Sequence, residues 1–137
     1  MDPELIAAYV RTAYRVDDSG FSFTMHVDES SAQLRACHGA FAVHCSAFIT
    51  AWNPRSEAAP RSINEAAMSR LERELDARHL RWLRGEGVDP GGEWPGEPSL
   101  LVLGLDHAAA IALGRMFEQN AVVCAAADAI PRLVFCW

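Results

Sequence analysis

Apolar positions near the start of the chain fall at helical spacing. Leu5, Ile6, Tyr9, Val10 and Ala13 follow Asp2, a natural cap, and Pro3, which suits the first helical position. The pattern predicts a helix that ends where Asp17-Asp18-Ser19-Gly20 supplies turn chemistry. Phe21, Phe23, Met25 and Val27 then alternate with smaller or polar residues, as in a half-buried strand. A short helix over 31–37 ends at Gly39, and a strand over 43–52 is broken by Asn53-Pro54. Ser62 and Glu65 have capping-box spacing at the head of the longest helix, 63–79. Ile63, Ala67, Leu71 and Leu75 form its buried stripe, with Arg70/Glu74 and Glu74/Arg78 on the other side.

A brief strand over 80–83 leads into 85–99, which reads GEGVDPGGEWPGEPS and predicts an ordered acidic surface loop. Residues 100–105 are almost continuously apolar, as a central strand covered on both faces requires. Asp106 caps a following helix whose Ala109, Leu113, Met116 and Phe117 face inward. Residues 122–126 and 133–137 close the chain as a hairpin around 128–131. The expected fold is α/β (α+β): one mixed sheet of five to six strands flanked by four helices, in a single domain spanning 1–137.

Composition narrows the function classes. Half of the residues are hydrophobic and 22% are charged, an ordinary globular balance. A net charge of −6 argues against nucleic-acid binding, which needs clustered cations. No apolar run approaches a membrane span, and the N-terminal segment resembles neither a secretory nor a transit peptide, so a cytoplasmic location without membrane contact is expected. The charge is uneven: 61–84 carries six Arg and four acids, whereas 85–99 carries four acids and no base.

Three polar sets interrupt apolar elements. Trp52, Asn53 and Arg55 lie at a strand exit, where open α/β sheets often place ligands; a plain strand-to-helix corner is the alternative. Glu86, Asp89, Trp94 and Glu97 sit in the acidic loop, where clustered carboxylates can shift one another's pKa or hold a hard cation. A solvated loop is the alternative there. Gln119 and Asn120 lie between helix and strand, where Asn120 suits a left-handed helix cap. His107, beside Asp106, reads as an exposed first-turn residue. Cys37, His38, His44 and Cys45 form a metal quartet only on paper, because strand alternation sends His44 and Cys45 to opposite faces. Without CxxC or HxxxH spacing, reduced cysteines, no metal and no cofactor are expected. No GxSxG, phosphate loop or GxGxxG occurs.

The blocks AFITAWNPRS (47–56), GEGVDPGGEWPGEPSLLVLG (85–104) and MFEQNAVV (116–123) resemble the signature blocks of a small bacterial family of unknown function. That family is typified by a Thr-Ala-Trp-Asn-Pro strand end and a Gly-Gln-Asn-Ala-Val block; here Glu118 stands in the glycine's place. The resemblance runs from about Phe21 onward. It implies a stand-alone cytosolic α/β domain and no particular reaction.

These blocks coincide with the polar interruptions. The expectation is one pocket, formed by residues 50–56, 86–99 and 119–120, that binds a small polar or anionic molecule, with Asn53, Trp94, Glu97 and Gln119 lining it. Asn53, Gln119 and Asn120 would supply amides, Trp52 or Trp94 a stacking wall, and Arg55 a cation. A hydrolase or transferase with Glu86 or Glu97 as general base is one alternative. A protein-interaction module anchored by Trp94 in its acidic loop is another. Oligomeric state is not legible in the sequence.

Overall fold

The computed structural model describes residues 2–137. Helix α1 (Pro3–Arg11) starts as expected, with the Asp2 carboxylate accepting from Glu4 N at 3.0 Å. It ends earlier than the spacing suggests. The Thr12 hydroxyl turns back onto Ala8 O at 2.6 Å, and the backbone at Thr12 becomes extended. Ala13–Asp18 then forms β1, with Tyr14 and Val16 buried and Arg15 and Asp17 exposed. A period of two had been hidden inside an apparent period of 3.6. Ser19 and Gly20, both at positive φ, turn β1 into β2 (Phe21–Met25) as a hairpin.

The remaining elements are α2 (Ala32–Ala40), β3 (Ser46–Ile49), α3 (Arg61–Ala77), β4 (Arg81–Val88), β5 (Glu97–Leu103), α4 (His107–Met116), β6 (Ala121–Ala125) and β7 (Arg132–Phe135). All seven strands join one sheet in the order β2-β1-β4-β5-β3-β6-β7. Every neighbouring pair is antiparallel, so the sheet has one strand more than the upper expectation and is not mixed. β5 is central, and its Leu100, Leu101, Val102 and Leu103 are all buried, as its unbroken apolar run requires.

Each face of the sheet has its own core. Tyr14, Val16, Phe23, Phe48, Leu83, Leu101 and Val123 pack with Leu34 and Cys37 of α2. Ala47, Ile49, Leu100, Val102 and Val122 pack on the other side with Leu71 and Leu75 of α3 and Leu113 of α4. Helix α2 is capped by the Ser31 hydroxyl on Leu34 N, and α4 by Asp106 on Ala109 N. The capping box at α3 does not form: Pro60 is the cap residue, which places Ser62 inside the helix. Glu65 pairs with Arg61 at 2.7 Å instead. Ile63 and Met116, expected inside, are more than half exposed. Among the described residues no helix is long and apolar enough to cross a membrane.

Both ends of the expected acidic loop are sheet, 85–88 in β4 and 97–99 in β5. β4 and β5 pair from Arg81↔Leu103 to Gly87↔Glu97, leaving only 89–96 as the hairpin tip. Gly85 explains the misreading, because its reason for being glycine lies on neighbouring strands. A Cβ there would meet Arg15 O and lie 2.8 Å from Phe48 Cε2, whose ring also packs edge-on against Tyr14. Gly85→Ala should therefore cost about 1–3 kcal/mol by overpacking. Urea unfolding should show a lower midpoint at an unchanged m-value; an unshifted midpoint would mean that both the β1 backbone at Arg15 and the Phe48 ring give way.

Candidate functional site

The polar interruptions meet where β3, α3, β5 and β6 come together. Beyond β3, the Thr50 hydroxyl donates to Pro98 O at 2.7 Å and accepts from Trp52 N at 2.9 Å, so the chain leaves the sheet along β5. It then adopts left-handed backbone at three non-glycine residues: Asn53 (φ 47), Arg55 (φ 58) and Ser56 (φ 60). Each such residue costs on the order of 1 kcal/mol or more and persists only where its surroundings impose it.

Asn64 of α3 imposes it. This side chain is 1% exposed, and it exchanges two hydrogen bonds with Asn53. Asn53 N donates to Asn64 Oδ1 at 2.8 Å, and Asn64 Nδ2 donates to Asn53 Oδ1 at 2.8 Å. Asn53 Oδ1 also accepts from Ala59 N at 3.0 Å, and Asn53 Nδ2 donates to Glu97 Oε1 at 3.1 Å. The second anchor is Gln119, buried behind the turn, whose Nε2 lies 3.3 Å from both Trp52 O and Phe117 O. Arg55 N donates to Glu118 O at 2.7 Å, closing the turn against the end of α4.

The outcome at the surface is an exposed Ser56 hydroxyl with two polar neighbours. Tyr9 Oη lies 2.7 Å from Ser56 Oγ, and Asn120 Nδ2 donates to the same oxygen at 3.0 Å. Asn120 therefore acts as a surface donor. The left-handed cap expected of it falls to Glu118, at φ 54. Burial pushes the Tyr9 phenol above its ordinary pKa, opposed by its contacts with Ser56 and Asn120, so it stays a neutral hydroxyl at physiological pH. Burial likewise pushes Glu97 up, against the lowering effect of the Asn53 amide.

The structure thus gathers Trp52, Asn53, Arg55, Glu97, Gln119 and Asn120. It brings forward Ser56, the last residue of the expected 50–56 segment, and adds Tyr9 and Asn64, which nothing in the sequence singled out. Tyr9 looked like one more apolar position of α1, and Asn64 stood on a helix stripe with nothing to mark its partner. Three expected residues belong to the hairpin instead. Asp89 is buried and turns inward on its own loop, accepting from Gly91 N at 3.1 Å and Glu93 N at 2.8 Å. Glu86 packs over Gly96. Trp94 is partly covered by Arg11, whose guanidinium carbon lies 5.6 Å from the ring centroid.

Two open cavities lie elsewhere. One, of about 320 Å³, includes Arg35, His38 and His44; the other, of about 340 Å³, runs between α3 and the β4–β5 pair. Of the residues expected at the site, Trp52 alone lines one of them. Cys37 and Cys124 are buried, which pushes each thiol up to about 11. Cys45 and His44 precede β3, so strand alternation does not govern them. Among the described residues no three His, Cys, Asp or Glu side chains group as metal ligands.

Two outcomes test this geometry. Asn64→Ala leaves Asn53 N without its partner and should destabilise the fold by about 1–3 kcal/mol, read as a lower denaturation midpoint. Glu97 holds its proton to higher pH when folded than when unfolded, so its contribution to stability falls as pH rises through the window above the ordinary glutamate value. Glu97→Gln keeps the acceptor for Asn53 without a charge to desolvate. Its stability relative to wild type should rise across that window and level off above it. A difference independent of pH would mean that the carboxylate is fully hydrated.

No curated protein and no solved structure matches the chain. A family model described as "Protein of unknown function (DUF3293)" matches residues 49–122, more than half of the chain, and contains all of the site except Tyr9. The chain belongs to the DUF3293 family of proteins of unknown function.

Proposed function

We propose that the protein recognises a small polar or anionic molecule at the surface around Ser56, with Tyr9, Asn120 and Arg55 as its contacts. One observation carries the reading: an exposed serine on left-handed backbone, held there by a buried amide network. Folding alone gains little from three strained non-glycine residues within four positions, and strain of this kind gathers at ligand sites. A hydroxyl, a phenol and a carboxamide that converge on one point offer both donors and acceptors to a polar ligand. Arg55, exposed beside them, adds a cation.

The hairpin tip plays a supporting role in this reading. Asp89 satisfies its own turn, and the Trp94 ring is occupied by Arg11. The pocket expected over 50–56, 86–99 and 119–120 contracts to its first and last segments plus Glu97.

Thermal-shift screening against small polyols, amides, carboxylates and sugar phosphates tests the proposal. A ligand at about 100 times its Kd adds roughly 2.7 kcal/mol and raises Tm measurably. Stabilising compounds should lose their effect in Ser56→Ala and Asn120→Ala, both of which alter exposed hydrogen bonds and leave the amide network intact. Compounds that stabilise wild type and both variants alike would place recognition elsewhere.

A further inference from the structure

Two guanidiniums share one indole next to Ser56. Trp137 is 66% exposed and fixed by its Nε1, which donates to Gln119 O at 3.2 Å. The guanidinium carbon of Arg55 lies 5.7 Å from its ring centroid, and that of Arg115 lies 5.6 Å from it. Arg115 Nε donates to Cys136 O, which fixes its head group and leaves both Nη groups for another acceptor. Among the described residues Arg115 forms no ion pair. In a chain of net charge −6, this is a local pair of cations with a shared platform.

Glu118 is the carboxylate beside them, and its placement is unusual. Its backbone is left-handed, at φ 54, where glycine would be unstrained. Arg55 Nε and Nη2 both point at a single oxygen, Glu118 Oε1, at 3.4 and 3.3 Å. A bidentate guanidinium–carboxylate pair uses two oxygens at shorter distances. With both partners more than half exposed, this pair is weakly held. It occupies the edge of Arg55 that an incoming anion would take.

We infer that Arg55 and Arg115 together bind the dianionic oxyanion group of a small molecule, and that the Glu118 carboxylate is the internal counter-ion which that group displaces. The inference rests on the reading of the Ser56 surface as a small-molecule site and specifies its ligand class: a phosphate ester or a comparable dianion. The Glu118 carboxylate pairs with Arg55 and not with Arg115; a dianionic group can face both guanidiniums. The indole platform holds the two heads in place before the ligand arrives, which lowers the ordering cost of binding.

Inorganic phosphate is the probe. A two-dimensional NMR titration at low salt, read at the Trp137 indole N–H, should show a saturable shift. Acetate, with one charge, should bind about 10-fold more weakly. Glu118→Gln should tighten phosphate about 3- to 10-fold, with the gain shrinking as salt is added. Arg115→Gln should weaken it about 10-fold or more. Glu118→Gln removes only an exposed charge, so its gain of binding stays readable even if an arginine variant folds poorly. Unchanged affinity in Glu118→Gln, or no phosphate shift in either wild type or that variant, would overturn the inference. Such a result leaves the Ser56 reading standing, because that reading is tested by Ser56→Ala and Asn120→Ala with neutral ligands.

Discussion

Two asparagines facing each other hold the turn on which the rest of the site depends: the Asn53 backbone N–H donates to Asn64 Oδ1, and Asn64 Nδ2 donates to Asn53 Oδ1, both at 2.8 Å. Asn64 is buried on a helix that otherwise presents Ala67, Leu71 and Leu75 to the core. An amide in that position is costly to desolvate unless every polar atom finds a partner. Its partners are the backbone and side chain of Asn53 and the carbonyl of Ala59. The same bonds that satisfy the helix therefore dictate the left-handed turn. Neither asparagine could be replaced by an apolar residue without releasing the other.

From this pair the geometry propagates outward. Asn53 reaches Glu97 on β5, Thr50 reaches Pro98, and Gln119 reaches Trp52 from the far side. The turn is tied to three separate elements of the sheet and helix layers, so it cannot relax alone. Its rigidity places Ser56 against Tyr9 and Asn120, and Arg55 against Trp137. Among the hairpin carboxylates, Asp89 accepts within its own loop, Glu86 packs over Gly96 and Glu97 accepts from Asn53. The cations beside Trp137 are left with Glu118.

Residues that act through their immediate neighbours were legible. Asp2 and Asp106 cap the helices that follow them, and the apolar run of β5 marks the centre of the sheet. Trp52-Asn53-Pro54 and Gln119-Asn120 stood out as polar breaks, and they do meet. Glu86, Asp89 and Trp94 stood out equally and serve the hairpin, because a Gly- and Pro-rich acidic segment looks the same whether its glycines bend a loop or make room for a ring. Tyr9 and Asn64 carried no mark, since a phenol on an amphipathic helix and a single amide on a helix face acquire meaning only from what they touch.

Where most helices begin, which strand lies deepest and which breaks are polar can be read along the chain. Those properties follow from hydrogen bonds within a few residues and from the period of apolar positions. That β1 is a strand, that Gly85 and Gly87 belong to a sheet, and that the strands run antiparallel throughout follows only from contacts distant in the chain. Such contacts also decide which amide faces which. A strand is completed by partners distant in the chain, and a side chain's hydrogen bonds depend on the register those partners adopt. Local pattern sets each residue's preference; pairing across the sheet decides which preference is kept.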